Sequence, residues 1–429
     1  PPQDARLDAL ECHFTWDLSP CRSKLYLLRD NLEDIGTEEG YSWLGHIYNL
    51  QGYVHCMLGL TDDAQRFFSM AAEAFRQMRN TVSDEGPWLV INYGNLAWLH
   101  HTKGDQAESQ AYLSKVDALM EQYPSPSQDE LHPEIYAEKA WTLMHFGPGK
   151  KQQAADCFQR AIRMQPDMPE WHTSYAITLY HQQSNREVED SVLEKMRIAK
   201  THDPENLYLA ALYLGACARG GQNVQAEARE LARRVLKKPV SSYSGIKPLL
   251  KLYRMRASMD EAIDLADDAL ERHPDERYLK SCAAISYKHK ILFQVENPLQ
   301  DNMVNRAISL CKEVISLYPQ SSLKMKVALA NIYAKSDRIV AADQEYEEML
   351  KGDLDPREAQ MLYNCYAKHL YFARRESDRS IEYHMRAAEI PIPSIYRSNS
   401  IRTLRRNVEM QRNRMMVQEI QEFLENLQL

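Results

Sequence analysis

Basic side chains are concentrated in the middle of the chain, between residues 229 and 256. This segment, RELARRVLKKPVSSYSGIKPLLKLYRMR, holds nine Lys or Arg residues and one acid, Glu230. Aromatic and further basic residues lie in it and after it: Tyr243, Tyr253, Tyr278, Tyr287, Lys288 and Lys290. Cations bind phosphates and aromatic rings stack on bases, so this combination suits single-stranded nucleic acid. For a charge run alone, a solvated helix face is the more common explanation.

The chain as a whole is acidic, with a net charge of −8. Since segment 229–256 carries +8, the rest of the chain carries −16. The overall charge argues against general nucleic-acid binding, but a concentrated basic patch can still bind phosphates. A second basic run near the C-terminus sets six arginines against Glu409: Arg397, Arg402, Arg405, Arg406, Arg412 and Arg414.

Residues that could perform catalysis are not arranged for it. The sequence contains no Walker loop, no GxSxG or HExxH motif and no dinucleotide-binding fingerprint. His100 and His101 are adjacent and point to different faces of a helix, as do Asp267 and Asp268. The eight cysteines include no CxxC pair and are predicted to be free thiols of a reducing cytosol. We therefore expect no enzyme activity, no metal and no cofactor.

A repeated pattern of small residues indicates the elements that carry these groups. In AADCFQRAIRMQP, successive offsets of four, three and five residues separate Ala154, Phe158, Ala161 and Pro166. The first two offsets recur from four other alanines: Ala64, Ala262, Ala307 and Ala342. A period in the mid-thirties with this pattern is typical of tetratricopeptide repeats, which are pairs of antiparallel helices.

The predicted fold class is all-α, a right-handed superhelical solenoid of such pairs with non-repeat capping helices. Small side chains let the two helices of a pair approach closely, and the proline ends the second helix. A solenoid can reach 429 residues because each pair contacts only its neighbours. We predict nine pairs, at 45–80, 90–122, 135–168, 169–204, 206–239, 241–274, 275–319, 320–353 and 357–391.

Irregular spacing divides this array into three predicted subdomains. Residues 1–204 form an N-terminal repeat subdomain with a cap, 205–320 a central basic subdomain, and 321–429 the C-terminal repeats and capping helices. Insertions are predicted near 182–190 and 290–303. The apolar runs fall short of the roughly 18 residues that a membrane helix needs, and no signal peptide is visible.

Several segments resemble the interferon-induced proteins with tetratricopeptide repeats. The most specific is LECHFTWDL at 10–18, which is similar to the opening signature of that family. Further similar segments follow in the family's order and cover most of the chain: 47–59, 94–101, 138–147, 174–180, 250–256 and 330–334. The chain stops before the family's last repeat, so we expect a short, divergent member from a non-mammalian vertebrate.

This resemblance implies an antiviral effector of innate immunity that works in the cytoplasm. Some members of the family bind the 5′ end of single-stranded RNA, either triphosphorylated or capped without 2′-O-methylation, in a basic tunnel and so block its translation. Other members act as protein partners of those RNA binders. The resemblance thus implies RNA and related proteins as partners, a homo- or hetero-oligomer, and neither membrane nor DNA.

The resemblance also implies roles for individual residues. Trp141 matches the tryptophan that stacks on the cap guanine. Asn206 and Tyr208 match a pair beside the first riboses. Lys251 and Arg254 match basic positions of the tunnel.

Other matched positions differ from the family's pattern. Lys247 replaces an arginine, and Lys151, with Lys150 beside it, takes the place of a tyrosine. His145 stands in place of a phosphate-binding lysine, and His181 in place of an arginine. These two histidines and Lys288 are further candidates for RNA binding.

The remaining departures remove contacts and keep a second hypothesis open. Pro248 replaces a tyrosine, and Ser281 and Cys282 replace a His-Gln pair. The N-terminal threonine and basic positions of the family have no clear counterpart near residues 35–46. The alternative is therefore a protein-interaction scaffold for RNA-binding relatives or signalling adaptors. The two hypotheses differ in whether the side chains of residues 247, 251 and 254 face the inside or the outside of the solenoid. A basic patch on the outside would bind RNA weakly and without specificity.

Overall fold

The computed structural model describes residues 3–37, 41–79, 85–183, 187–293 and 299–427. Within them, every regular element is helical: 22 α-helices and two short 3-10 helices, His13–Thr15 and Tyr41–Trp43. The prediction of an all-α fold is confirmed. None of the described helices combines the length and the apolar composition of a membrane span.

The chain divides into two compact units. The first contains residues 1–20 and 28–273, and the second contains residues 21–27 and 274–429. The predicted division at 204 and 320 followed charge and repeat spacing, whereas this division follows packing. Helices α1 (Gln3–Asp8) and α2 (Arg22–Glu33) precede the pairs.

Six antiparallel pairs make up most of the first unit. In chain order they are α3 (Leu44–Met57) with α4 (Thr61–Arg79), α5 (Leu89–Thr102) with α6 (Gln106–Gln122), α7 (Pro133–Leu143) with α8 (Pro148–Met164), α9 (Pro169–His181) with α10 (Asp190–His202), α11 (Leu207–Arg219) with α12 (Gln225–Val235), and α13 (Ile246–Arg256) with α14 (Met259–Arg272). We call the first helix of each pair the A helix and the second the B helix.

Three pairs and two terminal helices make up most of the second unit. They are α15 (Arg277–Phe293) with α16 (Asp301–Leu317), α17 (Leu323–Lys335) with α18 (Ile339–Lys351), α19 (Pro356–Phe372) with α20 (Ser377–Glu389), then α21 (Ile395–Glu409) and α22 (Val417–Asn426). All nine predicted pairs are therefore present. The predicted insertions fall between α9 and α10 and between α15 and α16, where 184–186 and 294–298 lie outside the described residues.

The small residues of the repeat lie where the two helices of a pair touch. Ala154, Phe158 and Ala161 of α8 are fully buried. In the first pair, the approach is so close that a Cβ atom on Gly52 would lie 2.4 Å from the ring of Phe68. Each pair is therefore held by contacts that a larger side chain at these positions would break.

The opening segment packs against the A helices of the first unit. The backbone N–H of His13 donates to Asn95 Oδ1 (3.2 Å), and its ring nitrogens lie 3.0 Å from Asn95 Nδ2 and 3.3 Å from Thr142 Oγ1. Cys12 lies beside Gly94, where an added Cβ would be 3.2 Å away. The Cys-His-Phe-Thr-Trp signature thus positions α5 and α7.

Buried apolar side chains also fix the end of the second unit. Ile381 of α20, Ile401 and Leu404 of α21, and Ile420 of α22 share one core cluster. The apolar face of α22 is therefore covered by the preceding helices, and the prediction of capping helices at the C-terminus is confirmed.

Candidate nucleic-acid interface

The basic segment 229–256 has two sides with different surroundings. On the B helix α12, Arg229 pairs with Glu261 (3.5 Å), Arg234 with Glu205 (3.7 Å) and Arg233 with its neighbour Glu230. These ion pairs are exposed to solvent. The α12 side therefore offers arginines whose charges are largely compensated by nearby carboxylates.

On the A helices and at the start of the B helix α8, basic side chains from different pairs are near one another. Lys251 and Arg254 of α13 lie close to Arg219, the last residue of α11, and the three positive charges influence one another. His181, the last residue of α9, is near enough to Lys151, Lys251 and Arg219 for their charges to act on it. We call Lys151, His181, Arg219, Lys251 and Arg254 the basic cluster.

Positive charges contribute, after desolvation, to the pKa shifts of two members of the cluster. Desolvation, followed by the charges of Arg219 and Arg254, lowers the pKa of Lys251. Desolvation, followed by the charges of Lys151, Lys251 and Arg219, lowers the pKa of His181 to about 4. Among the described residues, the charges that contribute to these two pKa shifts are all positive. An anion placed among them would relieve this repulsion, so the cluster is suited to phosphate.

A row of aromatic side chains begins at the basic cluster. The guanidinium of Arg219 lies 5.2 Å from the ring centroid of Tyr180. Tyr208 follows on α11, and its ring centroid is 6.4 Å from that of Tyr243. Burial raises the pKa of Tyr208 to about 12. Cations and rings thus adjoin on one surface, as binding of phosphates and bases would require.

The row ends at Trp141, which is buried. Tyr243 lies beside its side chain, and the rings of Trp43 and His145 lie 6.0 and 4.4 Å from its ring, centroid to centroid. Only 1% of Trp141 is exposed. His145 Nδ1 lies 2.7 Å from the carbonyl oxygen of Trp141. His145 therefore packs against the tryptophan rather than joining the basic cluster.

Asn206 has a structural task at the start of α11. As N-cap residue, it accepts a hydrogen bond from Leu209 N at Oδ1 (3.0 Å), and its Nδ2 donates to Asp203 Oδ2 (3.2 Å). Its amide group is half-buried. The Nδ2 group has two N–H donors and one of them is used by Asp203. Any contact of Asn206 with a ribose would use the second N–H.

The other predicted site residues lie beside the basic cluster or elsewhere. Lys150 precedes Lys151 on α8, and Lys247 lies one turn before Lys251 on the same face of α13. Lys288 belongs to α15 of the second unit, where its charge acts on Cys311 and Cys365. Lys150 and Lys247 therefore extend the positive surface along their own helices, whereas Lys288 acts within the second unit.

Arg219 was missed by the sequence analysis, although the repeat register could have revealed it. Arg219 follows His181 by 38 residues, just as Pro204 follows Pro166. Arg254 follows Arg219 by 35 residues, the same interval that separates Pro239 from Pro204. One register position near the ends of successive A helices therefore carries a basic side chain. Tyr180 and Trp43 were missed too, since nothing in their spacing distinguishes them from core aromatics.

The composition of the basic cluster suits recognition of an anionic ligand. Within the residues described, no group of three or more His, Cys, Asp or Glu side chains is placed to hold a metal ion. The basic cluster combines cations with flanking rings and contains neither a carboxylate nor a hydroxyl nucleophile.

The chain is similar in sequence to proteins of one family, although no family model matches it. It is 24% identical over 403 residues to human interferon-induced protein with tetratricopeptide repeats 2, covering 90% of this chain and 83% of the relative. It is also 24% identical to the human antiviral innate immune response effector IFIT1, covering 94% of this chain and 86% of the relative.

Solved structures of that relative share the fold. The human IFIT1 dimer with m7Gppp-AAAA superposes with a TM-score of 0.69 at 24% identity, covering 99% of this chain and 94% of the other. The human IFIT1 dimer with PPP-AAAA gives a TM-score of 0.68 at 23% identity with the same coverage. This likeness establishes that the chain has the fold of a tetratricopeptide-repeat solenoid.

Proposed function

Because the chain is a divergent relative of the interferon-induced proteins with tetratricopeptide repeats, we propose that it binds single-stranded RNA by its 5′ end as an antiviral effector. The observation that carries this proposal is the convergence of Lys151, His181, Arg219, Lys251 and Arg254 beside aromatic side chains. The A helices α9, α11 and α13 bring together groups that are far apart in sequence.

The basic cluster would bind the 5′-terminal phosphates. Lys251 and Arg254 supply charges from α13, Arg219 and Lys151 supply them from neighbouring pairs, and Lys247 and Lys150 extend the positive surface. Tyr208 would lie against the first nucleosides, with Asn206 beside a ribose. RNA held in this way is withheld from the ribosome, so binding alone blocks its translation.

We place this activity in the cytoplasm and assign the chain no enzymatic step. The solved structures of IFIT1 with PPP-AAAA and with m7Gppp-AAAA are dimers, which supports RNA and a homo- or hetero-oligomeric partner for this chain. Neither DNA nor a membrane is part of the proposed function.

The test is a binding measurement with one short RNA bearing a 5′-triphosphate, an unmethylated cap, a 2′-O-methylated cap or a 5′-hydroxyl group. We expect a preference among these ends at physiological salt. Lys251→Glu with Arg254→Glu should weaken binding by about tenfold or more and reduce the slope of log affinity against log salt by about 1.4.

The matched control reverses two charges on the other side of the same segment. Arg233→Glu with Lys237→Glu makes the same change in net charge, at and after the end of α12, and should leave the affinity within about twofold. If both double variants weaken binding equally, the cluster has no special role. If neither changes it, the RNA-binding assignment is wrong.

The alternative function is a scaffold that binds related proteins or signalling adaptors. It is favoured by the positions of the two histidines, because His145 packs on Trp141 and the low pKa of His181 leaves it neutral at pH 7. Equal, weak and salt-sensitive binding of all four RNA ends would support the scaffold and contradict recognition of the 5′ end.

A further inference from the structure

The surroundings of Trp141 leave no ring face open to a base. Trp43 stacks beside it with an angle of 20° between the ring planes, while His46 lies edge-on with its centroid 5.9 Å away. His145 contacts the ring as well, and Tyr243 lies beside the indole. Since only 1% of Trp141 is exposed, these neighbours occupy the space that a stacked purine would need.

Trp43 is held firmly where it covers Trp141. It ends the 3-10 helix Tyr41–Trp43 and forms the N-cap of α3, so its backbone is fixed by two helical elements. Its ring contacts His46 edge-on, 4.8 Å between centroids, and Phe158 of α8 at 6.5 Å. Only 7% of Trp43 is exposed. A residue packed on several sides keeps one position, and moving it would forfeit all of this packing.

The phosphate-binding groups do not share this obstruction. Lys251 is exposed, and Lys151, Arg219 and Arg254 are half-buried. A 5′-phosphate can therefore reach the cluster without displacing Trp43, whereas a base that stacks on Trp141 cannot.

We infer that Trp43 is a specificity-determining residue that covers Trp141 and makes the site select 5′-phosphate ends over capped ends. This inference rests on the proposed function, because it assumes that RNA ends enter this site. A cap guanine that stacks on Trp141 must first expel the Trp43 indole, so the favourable energy of the new stack is offset by the loss of the indole's own packing. Charge, rather than the identity of a terminal base, then decides which RNA binds.

The experiment compares 5′-triphosphate and unmethylated capped forms of one short oligoadenylate on the full chain. We expect wild type to bind the triphosphate form at least about tenfold more tightly than the capped form. Trp43→Ala should raise affinity for capped RNA about tenfold, which is the gain expected when one stacking surface becomes exposed. Its affinity for triphosphate RNA should stay within about twofold of wild type. Trp43→Phe keeps a ring over Trp141 and should behave as wild type.

A double variant shows whether the gain arises at Trp141. Trp43→Ala with Trp141→Ala should lose the increase in capped-RNA affinity that Trp43→Ala alone produces. If Trp43→Ala reduces folding, as judged by thermal unfolding, then Trp43→Leu keeps part of the apolar packing but vacates part of the space of the indole, so its capped-RNA affinity should rise by a smaller factor.

Two results would overturn the inference, and they are distinguishable from failure of the proposed function. One is wild-type binding of capped RNA as tight as that of triphosphate RNA. The other is a folded Trp43→Ala or Trp43→Leu chain with unchanged capped-RNA affinity. In both cases, a loss of triphosphate binding in Lys251→Glu with Arg254→Glu would show that the proposed function stands while the role of Trp43 does not. If that double variant binds triphosphate RNA as tightly as wild type, both the proposed function and the role of Trp43 are contradicted.

Discussion

At the scale of single residues, charge state rather than residue type decides what the basic cluster can do. His181 occupies a position between Lys151, Arg219 and Lys251, but its pKa of about 4 leaves it neutral at pH 7. A cluster of five basic residues therefore presents four positive charges at neutral pH. The fifth becomes available only when an anion or a lower pH favours its protonation.

Replacing this histidine with a permanent cation should strengthen RNA binding. His181→Arg adds one charge at pH 7, so affinity for triphosphate RNA should rise severalfold and the salt slope should steepen by about 0.7. In wild type, bound phosphate favours protonated His181, so affinity should rise as the pH falls from 7 towards 5. Affinity of the arginine variant should vary less over this range. The measurement is RNA titration at pH 7 and pH 5. Parallel pH profiles would show that His181 does not face the phosphates.

Two substitutions of Asn206 separate its structural task from RNA binding. Asn206→Ala removes the N-cap of α11 and should lower the free energy of unfolding by about 1 kcal/mol. Asn206→Ser keeps a capping oxygen and removes the amide donor, so stability should stay within about 0.5 kcal/mol. If Nδ2 contacts a ribose, both variants should bind RNA more weakly. Unchanged RNA affinity in a fully folded Asn206→Ser chain would limit Asn206 to capping.

At the scale of elements, close approach within each helix pair explains why the sequence repeats. Small residues recur because the two helices touch there, and prolines recur because the B helix ends there. Met164 ends α8 two residues before Pro166, and Arg272 ends α14 two residues before Pro274. The A and B helices are thus set by local sequence. Local sequence does not determine which polar side chains of these helices meet, because that depends on contacts between successive pairs.

Enlarging one of these contact residues should destabilise the first unit. Gly52→Ala would place a Cβ atom 2.4 Å from the ring of the fully buried Phe68, so the helices must separate or the ring must shift. We expect a loss of about 1–3 kcal/mol in the free energy of unfolding, measured by urea titration. Gly149→Ala is the matched control, since nothing lies within 4 Å of its added Cβ and alanine favours the helix there. Equal effects of both substitutions would argue against close packing at Gly52.

At the scale of the whole molecule, buried histidines link stability to pH. His13 is fully buried between Asn95 and Thr142, and desolvation lowers its pKa to about 3. His384 of the second unit behaves similarly, since desolvation and then the charge of Lys368 lower its pKa to about 4. Both side chains are neutral in the folded chain and take up a proton on unfolding below about pH 6.5.

Stability should therefore fall as the pH falls from about 6.5 towards 3. Between these values the unfolded chain binds more protons, and each such histidine contributes a slope of up to about 1.4 kcal/mol per pH unit. Urea unfolding at pH 7.5, 6 and 5 measures this slope. His13→Gln keeps a polar group at the site without a titrating ring. The slope of its unfolding free energy against pH should therefore be smaller by up to about 1.4 kcal/mol per pH unit, which corresponds to one proton. A slope equal to that of wild type would show that His13 does not control acid sensitivity.

Sequence alone was enough to predict the helix pairs, their approximate boundaries and the register of the repeat, because these depend on contacts between residues close together in the chain. It also indicated that Lys251, Arg254 and Trp141 are notable positions. That Arg219 joins the basic cluster and that Trp43 covers Trp141 became evident from the three-dimensional structure. Residues 43 and 141 are brought together by the stacking of successive pairs. That stacking depends on the packing of many side chains at once, and no local spacing records its outcome.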